Sequence, residues 1–257
     1  MGSVTPALAE WHWLLPVLLA PFIGSFLGLL IRRLPAGEGV AWGRSACPHC
    51  GRVLGARDLV PLLSWLWNRG RCRYCAVKLG WFYPGVELLA VLVAIWAAAV
   101  LTGWLVWATC IFGWLLLTLA WIDQRHMILP DLLNLSLIPG GLVVAYLAVP
   151  ERLLDHVTGA VLGFAVLFAL DLAYRRLRGR QGLGLGDAKL LSGIGAWVAW
   201  QGLASVVLVA AISGLGLALT RSIGGRPLNL LQRLPFAPHL CLGAWLVWLY
   251  GPLTLAR

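Results

Sequence analysis

The sequence predicts an all-α polytopic membrane protein with about eight transmembrane helices and a small cytosolic zinc-binding loop domain. Of the 257 residues, 60% are hydrophobic and 12% are charged, a balance that soluble globular domains do not have. Apolar runs long enough to cross a bilayer recur along the chain. The longest polar loop, near the N-terminus, carries four cysteines in two pairs.

Eight apolar runs predict the membrane spans. They lie near 13–31, 84–102, 104–122, 131–149, 156–174, 190–200, 203–220 and 236–252. The run 190–200 is short for a full crossing, so seven and eight spans both remain open. The first run has no basic start and no small-residue cleavage site after it, so we expect it to stay as an anchor. The predicted division is a first transmembrane anchor at 1–31, a loop domain at 32–83 and a multi-span membrane domain at 84–257 that carries the catalytic site.

The basic residues predict the orientation. With residue 1 outside, the inner loops are 32–83, 123–130, 175–189 and 221–235, and they hold every Lys and Arg except Arg152 and Arg257. Short loops rich in Lys and Arg stay in the cytosol, and the net charge of +10 then describes an inner surface that faces anionic membrane lipid. No separate basic domain or aromatic platform indicates a nucleic-acid partner.

The loop 32–83 contains two Cys-x-x-Cys pairs. CPHC and CRYC are separated by 21 residues, which is the spacing of a structural zinc site with four thiolate ligands. The candidate ligands are Cys47, Cys50, Cys72 and Cys75. Two disulfides or four free thiols are the alternatives, and a reducing cytosol disfavours the disulfides. Such a metal would fold a loop too small to be stable alone, and four thiolates leave no position for a catalytic water. Cys110 and Cys241 lie alone in apolar runs and are expected to be buried.

Two acidic residues are the candidate catalytic groups. Asp123 ends the third apolar run and Asp187 precedes the sixth, so both are expected at the inner boundary of the membrane. Ionisable groups at membrane depth are costly and are usually kept for function. Two carboxyl groups that share a site divide their proton affinities, so one can act as general base on a water while the other donates a proton to a peptide carbonyl. This chemistry is that of an aspartic peptidase, and no Ser-His-Asp, Cys-His or His-Glu-x-x-His arrangement competes with it.

Asp187 and the remaining acids near the spans also have simpler interpretations. Asp187 alone could equally be a helix N-cap, but glycines at 182, 184 and 186 favour room for the backbone of a bound chain. Asp131 after Pro130 fits an N-cap, and Asp171 fits an ion pair with Arg175 at i+4. Glu87 is expected to be an interfacial carboxylate at a helix start, with a role in holding substrate as the weaker alternative.

Several motifs together carry a family resemblance. GSFLGLLIRRLP at 24–35, the two cysteine pairs, YPGVE at 83–87, IDQRHMILPD at 122–131, GLGDAKL at 184–190 and LPFAP at 234–238 occur in the order found in bacterial type IV prepilin peptidases, the leader peptidase and N-methyltransferase family, which the chain resembles over nearly its whole length. The chain departs from the family at Gly28, where Asn is usual, and at Ala199, where Gly is frequent.

The resemblance implies a multi-pass enzyme of the bacterial inner membrane. It would remove the basic leader of prepilins and pseudopilins at the cytosolic face, immediately before their hydrophobic helix, and would methylate the new amino terminus with S-adenosylmethionine. The family's two catalytic aspartates correspond to Asp123 and Asp187. Small residues at 193, 195, 214 and 216 are expected to let helices approach closely where a substrate helix enters. A proton-coupled transporter and a non-catalytic assembly protein with a zinc loop are the alternative functions.

Overall fold

The computed structural model describes residues 13–40, 45–47, 49–179, 184–223 and 235–253, and these residues are helical apart from turns and loops. The helices are α1 (Leu14–Arg33), α2 (Leu63–Trp67), α3 (Phe82–Val100), α4 (Leu105–His126), α5 (Asp131–Ala148), α6 (Leu153–Arg178), α7 (Leu185–Ile223) and α8 (Ala237–Tyr250). Short 3₁₀ turns lie at Ala56–Leu59 and Pro150–Arg152. Across these ranges, β pairing is limited to the isolated bridges Ala46↔Val53 and Arg71↔Lys78, so the predicted all-α fold is confirmed.

The described helices identify a multi-pass membrane protein. Six of them are long and apolar enough to cross a bilayer, with mean hydropathies of 1.5 to 2.4, and α8 is a shorter apolar helix. Each predicted apolar run falls on one of these helices. The observed helices extend beyond several runs, however, and this brings Asp123 into the last turn of α4 and Asp187 into the first turn of α7. Polar residues can continue a helix at the membrane boundary, where water satisfies their side chains.

Helix α7 is two helices joined at Ala199. Ala199 has φ 58° and ψ 177°, which no helix contains. Residues 186, 193 and 197 approach 134, 137 and 141 of α5 in the same chain direction. After Ala199, Gly202, Val206 and Gly214 approach Val247, Gly243 and His239 of α8 in turn, which is the antiparallel sense. Because Asp187 interacts with Cys241 near the start of α8, the chain reverses at Ala199. The segments 185–198 and 200–223 are therefore separate helices. The described residues contain eight apolar helical segments, one for each predicted run, and the number of membrane spans stays a prediction.

Close contacts hold the first of two compact units, residues 1–118. In it, α1 packs along α3, and a Cβ at Gly24 would stand 2.6 Å from the Cα of Glu87. Gly28, where the resembling family usually has Asn, faces the Tyr83 ring, which a Cβ would meet at 2.8 Å. The Tyr83 hydroxyl accepts a hydrogen bond from Arg32 Nη1 at 3.1 Å. The tyrosine thus occupies the space that a larger residue at position 28 would need.

The second unit, residues 119–257, is built around α7. In this unit, α7 packs against α5, α6 and α8. Gly195 faces the backbone of Gly159, and a Cβ at Gly193 would meet the Leu137 Cβ at 2.7 Å. The close helix approach predicted at these two glycines is therefore confirmed, but it is between the chain's own helices, which fill the space beside them. Gly216 has no neighbouring atom within 4 Å of its Cβ position.

Candidate active site and four-cysteine cluster

Asp123 lies in the last turn of α4 and is buried. Its Oδ2 accepts a hydrogen bond from the backbone N–H of Ala237 at 3.2 Å. Ala237 is the first residue of α8, so this N–H is one of the donors that a helix start leaves without an intrahelical partner. The carboxylate also faces the positive end of the α8 dipole. The LPFAP motif thus contributes the residue that holds Asp123.

Asp187 lies in the first turn of α7 and is half-buried. Its backbone N–H donates to the Gly184 carbonyl at 3.1 Å. The helix begins at Leu185, two residues before Asp187, so the N-cap interpretation of Asp187 is wrong. The Asp187 carboxylate still accepts a hydrogen bond from the backbone N–H of Gly184 and lies at the positive end of the helix dipole.

The structure brings the two carboxylates together. Asp187 interacts electrostatically with Asp123, and the buried Cys241 of α8 interacts with both. The three residues come from the last turn of α4, the first turn of α7 and the first two turns of α8. Two carboxylates that are far apart in the sequence therefore share one local environment at a single end of the second unit.

Two contacts from the start of α5 flank Asp187 on either side in sequence. Asn134 Nδ2 donates to the Gly186 carbonyl at 2.9 Å, and Lys189 Nζ pairs with Asp131 Oδ1 at 2.7 Å. Asn134 is fully buried, and its Oδ1 has no hydrogen-bond partner. The sequence analysis did not single out Asn134 or Lys189. A polar residue one turn inside an apolar helix was the available signal for Asn134.

The predicted glycines before Asp187 have different environments. Gly182 lies outside the described residues. Gly184 is exposed, and a Cβ there would stand 3.7 Å from Asp187 Oδ2. Gly186 packs on Leu129, whose Cβ would lie 3.2 Å from an added Cβ. Of the described pair, Gly184 is the exposed one, and a Cβ there would make only ordinary van der Waals contacts.

The other predicted acids divide into one confirmed and two revised interpretations. Asp171 forms the expected ion pair with Arg175. Asp131 is not an N-cap, because Pro130 holds that position and no side chain caps the helix; its partner is Lys189. Glu87, expected near the start of a helix at the interface, is buried within the protein, and its Oε2 accepts the backbone N–H of Leu62 at 2.8 Å. Cys110 and Cys241 are buried, as expected.

The four predicted ligand cysteines form a compact cluster. All four Sγ atoms lie within 4.8 Å of one another, and Cys47 Sγ is 3.9 Å from Cys75 Sγ. Tetrahedral zinc with Zn–S bonds of about 2.3 Å requires S···S separations of roughly 3.8 Å, so the donor set fits a structural zinc ion. None of the four is in a disulfide. The cluster could therefore hold zinc, and the disulfide alternative is wrong.

Two thiols of the cluster have pKa values shifted in opposite directions. Backbone N–H groups of Cys50 and His49 lower the pKa of the Cys47 thiol to about 6. For Cys75, the backbone N–H of Val77 lowers the pKa, but burial and the other three thiols outweigh it and raise the pKa to about 11. A bound divalent cation would favour the thiolate form of every ligand.

Comparison with known proteins agrees with this architecture. Residues 18–101 match the bacterial peptidase A24 N-terminal domain, and residues 110–219 match the type IV leader peptidase family. No solved structure matches the chain. The first match covers the cysteine cluster, and the second covers both aspartates.

Curated relatives match over nearly the whole chain. A prepilin leader peptidase/N-methyltransferase of Aeromonas hydrophila is 38% identical over 93% of this chain and 91% of its own length. Proteins of the same name from Dickeya chrysanthemi and Burkholderia pseudomallei (strain 1026b) are 39% and 36% identical, over 89% and 91% of this chain and 89% and 84% of their own lengths. The chain belongs to the type IV leader peptidase family.

Proposed function

We propose that this protein is a membrane aspartic endopeptidase that removes the leader of type IV prepilins and pseudopilins. The observation that carries the proposal is that Asp123 and Asp187 lie near enough for their like charges to interact at one end of the second unit, in a chain similar to proteins named prepilin leader peptidase/N-methyltransferase. The two residues are the catalytic carboxylates of the proposal.

The reaction requires both carboxyl groups in different protonation states. One ionised carboxylate takes a proton from a water whose oxygen attacks the scissile carbonyl carbon, while the protonated partner gives its proton to the carbonyl oxygen. Collapse of the tetrahedral intermediate returns a proton to the leaving nitrogen. The products are the leader with a free carboxyl group and a mature chain with a new amino terminus.

The location of the pair supports cleavage at the membrane surface. Both aspartates lie in terminal turns of their helices, and the predicted orientation puts those ends in the cytosol, at the face of the bacterial inner membrane. A prepilin with a basic leader and a hydrophobic helix would present its junction at the same depth. A proton-coupled transporter would favour carboxylates nearer the middle of the spans, so the peptidase is the better-supported function. The divisions predicted at residues 31 and 83 follow this topology and stay predictions.

N-methylation of the new amino terminus is the second proposed activity. It would transfer the methyl group of S-adenosylmethionine to the nitrogen that cleavage has released. The support is the printed name of the relatives, since no described residue marks a place for the donor. A structural zinc ion in the four-cysteine cluster would hold the loop domain folded.

Cleavage of a purified prepilin tests the proposal. Wild type, Asp123→Asn and Asp187→Asn are incubated with substrate, and leader removal is followed by mass spectrometry. Loss of a general acid or base costs roughly 10²- to 10⁴-fold in rate, so both variants are expected to lose cleavage. Asparagine retains an oxygen that can accept the Ala237 N–H, and Glu38→Gln, an exposed loop residue, is the matched control. Wild-type rates in either aspartate variant would refute the assignment.

A further inference from the structure

Helix α2 directs apolar side chains away from the loop domain. Leu63, Leu66 and Trp67 are 54%, 68% and 82% exposed, and their i, i+3, i+4 spacing puts them on one side of the helix, here called the α2 face. Trp65 points away from this face, and its ring lies 4.3 Å from the ring of Trp81. An exposed group of large apolar side chains marks an interaction surface.

A hydrogen bond fixes the position of α2 along the neighbouring membrane helix. The backbone N–H of Leu62 donates to Glu87 Oε2, and Glu87 is the sixth residue of the 19-residue helix α3. At about 1.5 Å per residue, Glu87 lies about 7 Å from the start of α3, and the whole helix spans about 28 Å, close to the hydrocarbon thickness. The α2 face therefore begins beside the first two turns of a membrane-spanning helix.

The side chains along and after the α2 face suit a membrane interface. Tryptophan prefers the boundary between hydrocarbon and headgroups. Trp67, Asn68, Arg69 and Arg71 together line a shallow open groove. A guanidinium group binds phosphate oxygens in a planar, bidentate manner. The groove thus combines an aromatic anchor with two groups that match a lipid phosphate.

We propose that the α2 face inserts into the cytosolic leaflet and that Arg69 and Arg71 bind the phosphates of anionic lipid headgroups. Leu88 and Leu92, which follow Glu87 on α3, are each 52% exposed, as side chains that face lipid would be. A basic prepilin leader fits the same groove poorly, because like charges repel. The inserted α2 would hold the cysteine loop against the membrane, and the proposal does not depend on the peptidase activity.

Depth-dependent quenching tests the insertion. The zinc-loaded, full-length Trp67→Cys variant is labelled with a fluorophore in nanodiscs of phosphatidylcholine and phosphatidylglycerol, with wild type as the control for labelling of the natural cysteines. Quenching by a nitroxide attached near the lipid headgroup is compared with quenching by aqueous iodide. Val53→Cys is the matched control, because Val53 is an apolar side chain of the same loop with 45% exposure and lies outside the α2 face.

We expect the lipid nitroxide to quench the label at position 67 several-fold more than the label at 53, with the reverse order for iodide. Arg69→Gln combined with Arg71→Gln should reduce the lipid quenching at 67 in anionic discs and leave it unchanged in pure phosphatidylcholine. Zinc content of each variant checks that the loop remains folded. Iodide quenching at 67 equal to that at 53 would overturn the proposal, and so would shielding from both quenchers, which would indicate a protein partner.

Discussion

Replacing Asn134 with leucine tests whether the start of α5 positions Asp187. The change keeps the branched arrangement of the side-chain heavy atoms and removes the Nδ2 donor to the Gly186 carbonyl. The residue after Gly186 is the catalytic Asp187 of our proposal. A loss of this contact should therefore affect the alignment of the carboxylate more than the stability of the fold.

The Nδ2 and Oδ1 atoms of Asn134 have opposite effects on the free energy of unfolding. A typical buried hydrogen bond contributes about 1 kcal/mol net, and its loss would destabilise the fold by a similar amount. Asn134 Oδ1 is buried without a partner, so leucine also removes a desolvation cost that offsets this loss. We expect the free energy of unfolding to change by less than about 1 kcal/mol. If the hydrogen bond stabilises the reactive alignment of Asp187 by about 1 kcal/mol, its loss lowers kcat roughly fivefold.

The assay is steady-state cleavage of a prepilin, with kcat and KM measured separately and thermal unfolding measured on the same preparations. Ser136→Ala is the matched control, since Ser136 Oγ bonds only the Leu133 carbonyl of its own helix among the described contacts. We expect Asn134→Leu to lower kcat with little change in KM, and Ser136→Ala to change neither. An unchanged kcat in Asn134→Leu would refute the positioning role, as would a fall in kcat that simply follows the loss of folded protein.

Three further changes test other parts of the structure. Lys189→Met removes the ion pair with Asp131, in which the lysine and aspartate side chains are 31% and 61% exposed. Because exposed pairs contribute about 0–1 kcal/mol, we expect a smaller fall in kcat than in Asn134→Leu. An equal or larger fall would contradict this ranking. Ala199→Gly relieves a positive φ and should stabilise the protein by about 1 kcal/mol, measured as a raised unfolding temperature; a lowered temperature would mean that the turn is not strained. Cys72→Ser should abolish zinc binding in metal analysis, whereas Cys110→Ala should keep it, and retained zinc in the first variant would refute the four-thiolate site.

The spans and the cysteine site were predictable because their signals are local in the sequence. Apolar runs have the length that a bilayer requires, and Cys-x-x-Cys spacing matches a metal knuckle. The short run 190–200 left the number of spans open, since apolar length alone does not reveal a reversal at one residue. The resemblance marked Ala199 as a position where glycine is frequent, and the positive φ at that residue gives the physical reason.

The contacts around the aspartates were less predictable because they join distant segments. Charge topology put Asp123 and Asp187 at one membrane boundary. The contacts of Ala237 with Asp123, of Asn134 with Gly186 and of Lys189 with Asp131 form only when the helices pack. Asp187 is not the N-cap residue, since the helix begins earlier, at Leu185. Glu87 was expected at an interface, whereas the backbone of Leu62 covers its carboxylate, a pairing that no spacing rule indicates.

The most direct test of the central claim is whether Asp123 and Asp187 act as one unit. Single-turnover cleavage rates are measured for Asp123→Asn, Asp187→Asn and the double variant, each checked for folding by thermal unfolding. Groups that work together in one step lose nearly the whole effect when either is removed, so we predict that all three variants fall to about the same low rate. Losses that multiply in the double variant, or cleavage at the wild-type rate in either single variant, would contradict a catalytic pair.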